Sequence, residues 1–180
     1  MGRILAITNQ KGGVGKTTTA VNLGAALAGR GRRVLLVDVD PQGNTTSGLG
    51  IEKADLQHCV YDAVLGSKSV SEVLVETSVP GLHLVPATLR LAGAEVELVS
   101  ALARERRLHK AIAPVVDEYD FILVDCPPSL GLLTMNALTA SQGVLVPIQC
   151  EFYALEGLGQ LLQVVEMVRE HLNPGLAVQG

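Results

Sequence analysis

The sequence predicts an α/β fold of the doubly wound type, in which helices cover both faces of a mostly parallel sheet. Five short apolar segments alternate along the chain with stretches of helical periodicity, and most of these segments lack the polar alternation of a half-exposed strand. Apolar residues make up 48% of the chain and charged residues 18%, which excludes a disordered polypeptide. The length of 180 residues predicts a single domain.

The predicted strands and helices follow one another in a regular order. The strands are short segments rich in Leu or β-branched residues, namely 3–8, 33–37, 82–85, 121–124 and 144–148. The helices are predicted at 16–28, 89–99, 103–116, 130–140 and 155–172. Residues 55–79 are ambiguous and fit short helical pieces. Residues 176–178 resemble the start of another strand, so we expect a domain over 1–180 that lacks its final strands and helices.

Composition and charge exclude several classes of function. Fourteen basic and eighteen acidic residues give a net charge of −4, so a chain-wide basic surface for nucleic acid is absent. Five aromatic residues without Trp are too few for a base-stacking platform. No segment approaches the ~18 apolar residues of a membrane span. Only four apolar residues follow Arg3 before a polar stretch, so we expect no signal peptide and a cytoplasmic location.

A glycine-rich segment connects the first predicted strand to the first predicted helix. Its sequence is Gln10-Lys11-Gly12-Gly13-Val14-Gly15-Lys16-Thr17-Thr18. In such a loop, glycines let backbone N–H groups converge on phosphate oxygens, and the start of the helix adds partial positive charge. We expect Lys16 to reach the β- and γ-phosphates and the Thr17 hydroxyl to bind Mg²⁺. A dinucleotide loop fits badly, because Lys-Thr-Thr stands where that motif needs a third glycine.

Acidic residues at two strand ends complete the predicted site. Asp38 and Asp40 lie at the end of the second predicted strand, and Asp125 follows the fourth. Ligands of such sheets bind at the carboxyl ends of the strands, and Mg²⁺ is typically held through one or two carboxylates. Asp38 has two equally good interpretations, a residue of the metal site or a cap of the turn that follows it. For Asp40 and Asp125 the functional interpretation is favoured.

These motifs resemble those of a known family. The string Lys-Gly-Gly-Val-Gly-Lys-Thr-Thr is similar to the deviant phosphate loops of the ParA/Soj partition ATPases and of the division-site ATPase MinD. It departs from the common phosphate-loop pattern by Gln10 at its first position and by a second lysine, Lys11. Residues 126–138, which begin Cys-Pro-Pro-Ser, resemble the second switch of the ParA/Soj branch, and residues 147–158 also look like that branch.

The resemblance implies a mechanism and a set of site residues. It implies an ATPase that forms an ATP-sandwich dimer, binds nonspecific DNA in that state and partitions DNA with a ParB-type centromere-binding protein. In that family the extra lysine, which is Lys11 in this sequence, reaches the nucleotide of the partner subunit. The resemblance also implies that Asp40 positions the attacking water. The predicted catalytic residues are Lys11, Lys16 and Asp40. The predicted nucleotide-binding residues are Lys11, Gly12, Gly13, Val14, Gly15, Lys16, Thr17 and Thr18, and the metal residues are Thr17, Asp38 and Asp125.

Several alternatives remain beside this interpretation. A nucleotide-gated positioning adaptor of the MinD class would make little use of hydrolysis, and an amidoligase would need a second catalytic motif. Cys126 and Cys150 lack the motif of an iron–sulfur ATPase, and we expect both to be buried. A basic stretch contains Arg104, Arg106, Arg107 and Lys110 and fits a solvated helix face better than a DNA surface. We therefore expect weak or absent DNA binding in these 180 residues, nucleoid association and no membrane partner.

Overall fold

One sheet organises the protein. The computed structural model describes residues 2–149 and 154–180. Within these ranges seven strands pair, namely β1 (Arg3–Ile7), β2 (Val34–Asp38), β3 (Val75–Glu76), β4 (Leu82–Val85), β5 (Phe121–Asp125), β6 (Gly143–Leu145) and β7 (Ala177–Val178). Their order is β3-β4-β2-β5-β1-β6-β7. These pairings are parallel except for β3, which runs antiparallel to β4 at one edge. The predicted doubly wound fold is confirmed.

Helices cover both faces of the sheet. In the described ranges they are α1 (Lys16–Ala28), α2 (Asn44–Gly48), α3 (Val60–Leu65), α4 (Val70–Val73), α5 (Leu91–Glu97), α6 (Arg107–Ile112), α7 (Leu132–Ala140) and α8 (Ala154–His171). Alternate strand residues enter two apolar cores. Leu36 and Leu84 pack with α1 on one face, whereas Leu35 and Val37 pack with α3, α5, α6, α7 and α8 on the other. No helix among the described residues is both long enough and apolar enough to cross a membrane.

Helix α1 shows how local sequence produces this packing. Ala20, Gly24 and Ala28 are buried at intervals of four residues, which places them on one face of the helix. A Cβ atom at Gly24 would lie only 3.2 Å from Leu82 and 3.3 Å from Leu36. The small residues therefore bring α1 close to the sheet. This contact holds the N-terminus of α1 beside the carboxyl ends of the strands.

The segment predicted as one helix at 103–116 is divided in the structure, so that prediction was wrong. A 3₁₀ turn (Arg104–Arg106) precedes α6, and a second 3₁₀ segment (Ala113–Glu118) follows it. Ala103 has a left-handed φ of 50°, which does not continue into an α-helix. Pro114 has no N–H to donate and its ring clashes with the preceding turn, so α6 ends at Ile112. The strand β3 and the helix α2 were not predicted either.

The sheet brings the predicted acidic residues together. In the register of the parallel strands, Asp125 of β5 lies beside Ile7 of β1 on one side and Asp38 of β2 on the other. The loop that leaves β1 and the loop that leaves β2 therefore start at the same edge of the sheet. This edge is the carboxyl edge, where parallel sheets bind their ligands.

Candidate nucleotide-binding site

The glycine-rich loop between β1 and α1 forms an open cradle. Gly13 and Gly15 have φ values of +75° and +91°, a backbone conformation that side chains with a Cβ rarely adopt. A Cβ at Gly12, Gly13 or Gly15 would meet no atom of the described residues within 4 Å. The loop borders a cavity of about 380 Å³, whose lining is Gly12, Gly13, Gly15, Lys16, Thr17, Thr18, Asp40, Gln42, Asn44 and Pro128. Val14 points away into the protein and is buried.

Lys16 is held inside this loop. Its side chain is 8% exposed, and its Nζ donates a hydrogen bond of 3.0 Å to the carbonyl oxygen of Lys11. Burial lowers the pKa of Lys16, and the nearby carboxylates of Asp125 and Asp40 oppose that shift. Backbone and side chain thus hold one ammonium group at the cavity of the glycine loop.

Asn9 fixes the start of the loop. Its side-chain oxygen accepts a hydrogen bond of 3.0 Å from the backbone N–H of Lys11, and its amide nitrogen donates to the carbonyl oxygen of Pro147 at 2.8 Å. Gln149 also donates from its side chain to the carbonyl oxygen of Gly13 at 3.1 Å. The segment after β6 therefore supports the glycine loop. Residues 150–153 of the motif predicted there, Cys150 included, lie outside the described residues.

Asp125 connects the loop to the metal chemistry. Its Oδ2 accepts hydrogen bonds from the hydroxyls of Thr17 at 2.8 Å and Thr45 at 2.7 Å. Among the described residues, no donor reaches its other oxygen, Oδ1, which is buried. Burial raises the pKa of Asp125, because the charged form has lost its water. A buried carboxylate oxygen without a donor is the ligand that a cation would satisfy.

These residues fit Mg²⁺. The Thr17 hydroxyl donates a hydrogen bond to Asp125 and keeps its oxygen lone pairs for a cation. In the described parts of the chain, no cluster of three His, Cys, Asp or Glu side chains could hold a metal alone. Mg²⁺ is usually bound through one or two protein groups together with phosphate oxygens and water. The site therefore has the donors of a nucleotide-dependent Mg²⁺ site.

Asp38 is fully buried and both of its oxygens are hydrogen bonded. Oδ1 accepts from the backbone N–H of Asp40 at 3.2 Å, and Oδ2 accepts from the backbone and the hydroxyl of Thr46 at 2.9 and 2.8 Å. Burial raises the pKa of Asp38 to about 7, although the Thr46 hydrogen bonds oppose the shift. This geometry supports the turn-capping interpretation of Asp38. Its role in the metal site stays a prediction.

Asp40 belongs to the turn that Asp38 stabilises. It is 8% exposed, its Oδ1 accepts a hydrogen bond of 2.9 Å from the backbone of Gln42, and it lines the cavity of the glycine loop. The ammonium of Lys53 donates to the carbonyl oxygens of Gln42 and Gly43 at 2.7 and 3.3 Å, which braces the turn from outside. The Asp40 carboxylate therefore lies at the cavity that the glycine loop borders.

Sequence reasoning missed Thr45, Thr46, Asn9 and Lys53. The only signal for the threonines was the pair of hydroxyls directly after the turn 41–44.

Two other predictions concern Cys126 and the basic stretch. Cys126 is buried at the end of β5, as predicted. Of the basic stretch, Arg104 forms an ion pair with Glu105 at 2.9 Å, and Arg106 donates to the carbonyl oxygen of Leu172 at 3.3 Å.

Known proteins are similar to this chain in sequence and in fold. The AAA domain family matches residues 2–178. The sporulation initiation inhibitor protein Soj of Bacillus subtilis is 62% identical over the whole chain, which spans 71% of that protein. The chromosome partitioning protein ParA of Myxococcus xanthus is 56% identical over the whole chain, which spans 64% of its length.

A solved structure adds a ligand to this comparison. The Mycobacterium smegmatis protein named cobyrinic acid a,c-diamide synthase, with bound ADP and magnesium, has a TM-score of 0.97 and 48% sequence identity. The alignment covers all of this chain and 73% of that one. With the glycine loop, the strand-end carboxylates and these relatives taken together, the chain belongs to the ParA/Soj family of deviant phosphate-loop partition ATPases.

Proposed function

We propose that this protein is a Mg²⁺-dependent ATPase whose nucleotide state controls its interactions during chromosome or plasmid partitioning. One observation carries the proposal. Lys16, Thr17 and Asp40 line a single cavity, and Asp125 is hydrogen bonded to Thr17 at its base. The names of the B. subtilis and M. xanthus relatives support the partition role. The complexes of the M. smegmatis protein with ADP or an ATP analogue and magnesium support the cofactors.

In this proposal, each residue of the site has a separate role in ATP hydrolysis. Backbone amides of residues 12–18 and the ammonium of Lys16 bind phosphate oxygens. The Thr17 hydroxyl and the free oxygen of Asp125 hold Mg²⁺, with Asp38 beside them. Bound Mg²⁺ neutralises charge that develops on the phosphate oxygens. Asp40, fixed by the turn that it belongs to, orients the attacking water.

The same proposal assigns Lys11 to a second subunit. Lys11 lies at the start of the glycine loop and is partly exposed. In an ATP-sandwich dimer its ammonium would bind the nucleotide of the partner subunit, so that ATP holds two chains together. That dimer would bind nonspecific DNA and a ParB-type protein. The chain spans 64% to 71% of the curated relatives described above. Its net charge of −4 offers no chain-wide basic surface, so we expect these 180 residues to bind DNA weakly.

Light scattering with ATP and Mg²⁺ tests this assignment. We expect dimers in the Asp40→Ala variant, which binds ATP without hydrolysing it, and monomers when Lys11→Ala is added. Nucleotide affinity of the monomer should change little. Lys68→Ala is the matched control, because Lys68 forms a surface ion pair with Glu72 at 3.1 Å far along the chain from the glycine loop. A dimer that persists in the Asp40→Ala Lys11→Ala protein would contradict the role across the interface.

Two other functions are separated by simple assays. The name of the M. smegmatis structure suggests an ATP-dependent amidoligase, in which ATP consumption requires a carboxylic acid and an amide donor. We expect this protein to hydrolyse ATP without a carboxylic acid or an amide donor.

A MinD-like adaptor that makes little use of hydrolysis would keep its cellular function in the Asp40→Ala variant. We expect that variant to bind ATP and to lose DNA partitioning.

DNA binding is best compared at two salt concentrations. Each Lys or Arg contact to a phosphate releases a counterion, so the salt slope of the affinity counts the contacts. We expect weak binding of nonspecific duplex and a shallow slope for residues 1–180. A steep slope would instead identify the basic stretch of Arg104, Arg106, Arg107 and Lys110 as the DNA surface.

A further inference from the structure

Two consecutive threonines fasten the loop that carries Asp40. Thr45 and Thr46 are the second and third residues of α2 and are both completely buried. The Thr45 hydroxyl donates to Asp125 at the end of β5 at 2.7 Å, and the Thr46 hydroxyl donates to Asp38 at the end of β2 at 2.8 Å. The helix α2 is thus attached to two neighbouring strands through two carboxylates. Neither attachment follows from the helix itself, which has only five residues.

Thr45 and Thr46 have different roles in the structure. Thr46 closes the loop, because Asp38 binds the backbone of Asp40 with one oxygen and Thr46 with the other. Its hydroxyl also accepts a hydrogen bond of 2.9 Å from the backbone of Ala87, so it is used as donor and acceptor. Both of these contacts are structural. They hold the Asp40 loop closed.

Thr45 instead acts on the carboxylate of the metal site. Its hydroxyl donates to the same oxygen, Oδ2 of Asp125, that accepts the hydroxyl of Thr17. Two donors on Oδ2 fix the rotation of the carboxylate and leave Oδ1 as the oxygen without a donor among the described residues. Hydrogen bonds to a charged group are stronger and more directional than those between neutral groups. Thr45 therefore connects the Asp40 loop to the orientation of Asp125.

We propose that Thr45 is a positioning residue that couples the Asp40 loop to the cation-binding carboxylate Asp125. The inference rests on the proposed function, since it concerns the same Mg²⁺ and nucleotide site. Thr45 does not touch the reacting atoms in this proposal. It sets the angle of Asp125 and the position of the loop together, so that Mg²⁺ binding and the placement of Asp40 depend on one hydroxyl.

Removal of that hydroxyl gives a specific pattern of effects. In Thr45→Val the side chain keeps its shape and loses its donor. We expect roughly a tenfold or larger decrease in kcat and a similar increase in the Mg²⁺ concentration needed for tight nucleotide binding. Nucleotide affinity in EDTA should be unchanged, because Lys16 and the loop amides are intact. Thr45→Ser, which restores the hydroxyl, should recover most of both losses.

The measurements are titration of a fluorescent ATP analogue against Mg²⁺ and in EDTA, together with steady-state hydrolysis. Thr139→Val is the matched control, because Thr139 is a buried threonine of α7 whose hydroxyl donates to the carbonyl oxygen of Met135 in the same helix, at 2.7 Å. It should lose stability like Thr45→Val and retain the wild-type Mg²⁺ dependence. If Thr45→Val fails to fold, Thr45→Ala and Thr45→Ser carry the same comparison.

The possible outcomes distinguish a failure of the proposed ATPase function from a failure of the proposed role of Thr45. A wild-type protein that neither binds ATP nor hydrolyses it would overturn the proposed function. A wild-type protein that hydrolyses ATP while Thr45→Val keeps the same Mg²⁺ dependence and kcat would overturn the role of Thr45 alone. Equal losses in Thr45→Val and Thr139→Val would also overturn it, because the effect would then follow from lost stability. A lower kcat and a higher Mg²⁺ requirement in Thr45→Val, both restored in Thr45→Ser, support it.

Discussion

Two buried carboxylates show how structural and functional regions of this protein differ. Asp62 of α3 is 6% exposed and accepts a backbone hydrogen bond from Cys59 at 2.9 Å and two from the guanidinium of Arg90 at 3.1 and 3.3 Å. That guanidinium also lies over the ring of Tyr61, 4.8 Å from its centre. The charge of Asp62 is therefore compensated within the fold.

Asp125 is also buried, but its hydrogen bonds leave one of its two oxygens open. It has two hydroxyl donors on one oxygen, no donor among the described residues on the other, and a pKa raised by burial. The comparison teaches that burial alone does not identify a functional carboxylate. A carboxylate that is hydrogen bonded on both sides stabilises the fold, whereas one with an open oxygen at the carboxyl edge of the sheet is arranged for a cation from outside.

The largest expected effect is on the functional region. Lys16→Ala removes the ammonium that faces the phosphates and leaves the apolar core unchanged. A charge-assisted hydrogen bond of this kind is worth ~1.5–3 kcal/mol or more, so ATP affinity should fall by roughly ten- to a hundredfold. Calorimetric titration measures it, with Lys68→Ala as the control. Unchanged affinity would refute the assignment of the phosphate loop.

The second prediction exchanges the two carboxylates for amides. Asp62→Asn should lower the free energy of unfolding by about 1–2 kcal/mol, a value reduced because Arg90 is half exposed, and should leave nucleotide binding intact. Asp125→Asn should keep or raise the stability of the metal-free protein, because it removes a carboxylate whose loss of water is only partly offset by two hydroxyl donors and the nearby ammonium of Lys16. It should abolish the Mg²⁺ dependence of nucleotide binding. Urea unfolding and Mg²⁺ titration of both variants check this, and the reverse pattern would disprove the comparison.

The smallest expected effect is a pH dependence of stability. Asp38 has a pKa of about 7 in the folded protein, against an ordinary value of 3.8. The folded state then binds more protons than the unfolded chain between these values, so this contribution is present at low pH and is lost as the pH rises through about 7. In EDTA, the thermal midpoint of the wild type should fall across this range more steeply than that of Asp38→Asn. Parallel curves would contradict it.

Much of the fold could be read from local pattern. The helix Lys16–Ala28 and the strand Leu82–Val85 were predicted to the residue, because each depends on neighbouring side chains and on a clear stop signal. The segment 103–116 was misjudged, since its helical periodicity was given more weight than Pro114 and Ala103. The two-residue strand β3 has too few residues for any periodicity and forms only by pairing with β4.

The sequence by itself determined the phosphate loop, the alternation of strands and helices, and the strand ends at which Asp38 and Asp125 lie. These features depend on residues that are close along the chain. Only the tertiary structure decided that Thr45 meets Asp125, 80 residues later. The physical reason is that this contact depends on β2 lying beside β5, an adjacency set by long-range packing of the sheet that no local pattern of residues encodes.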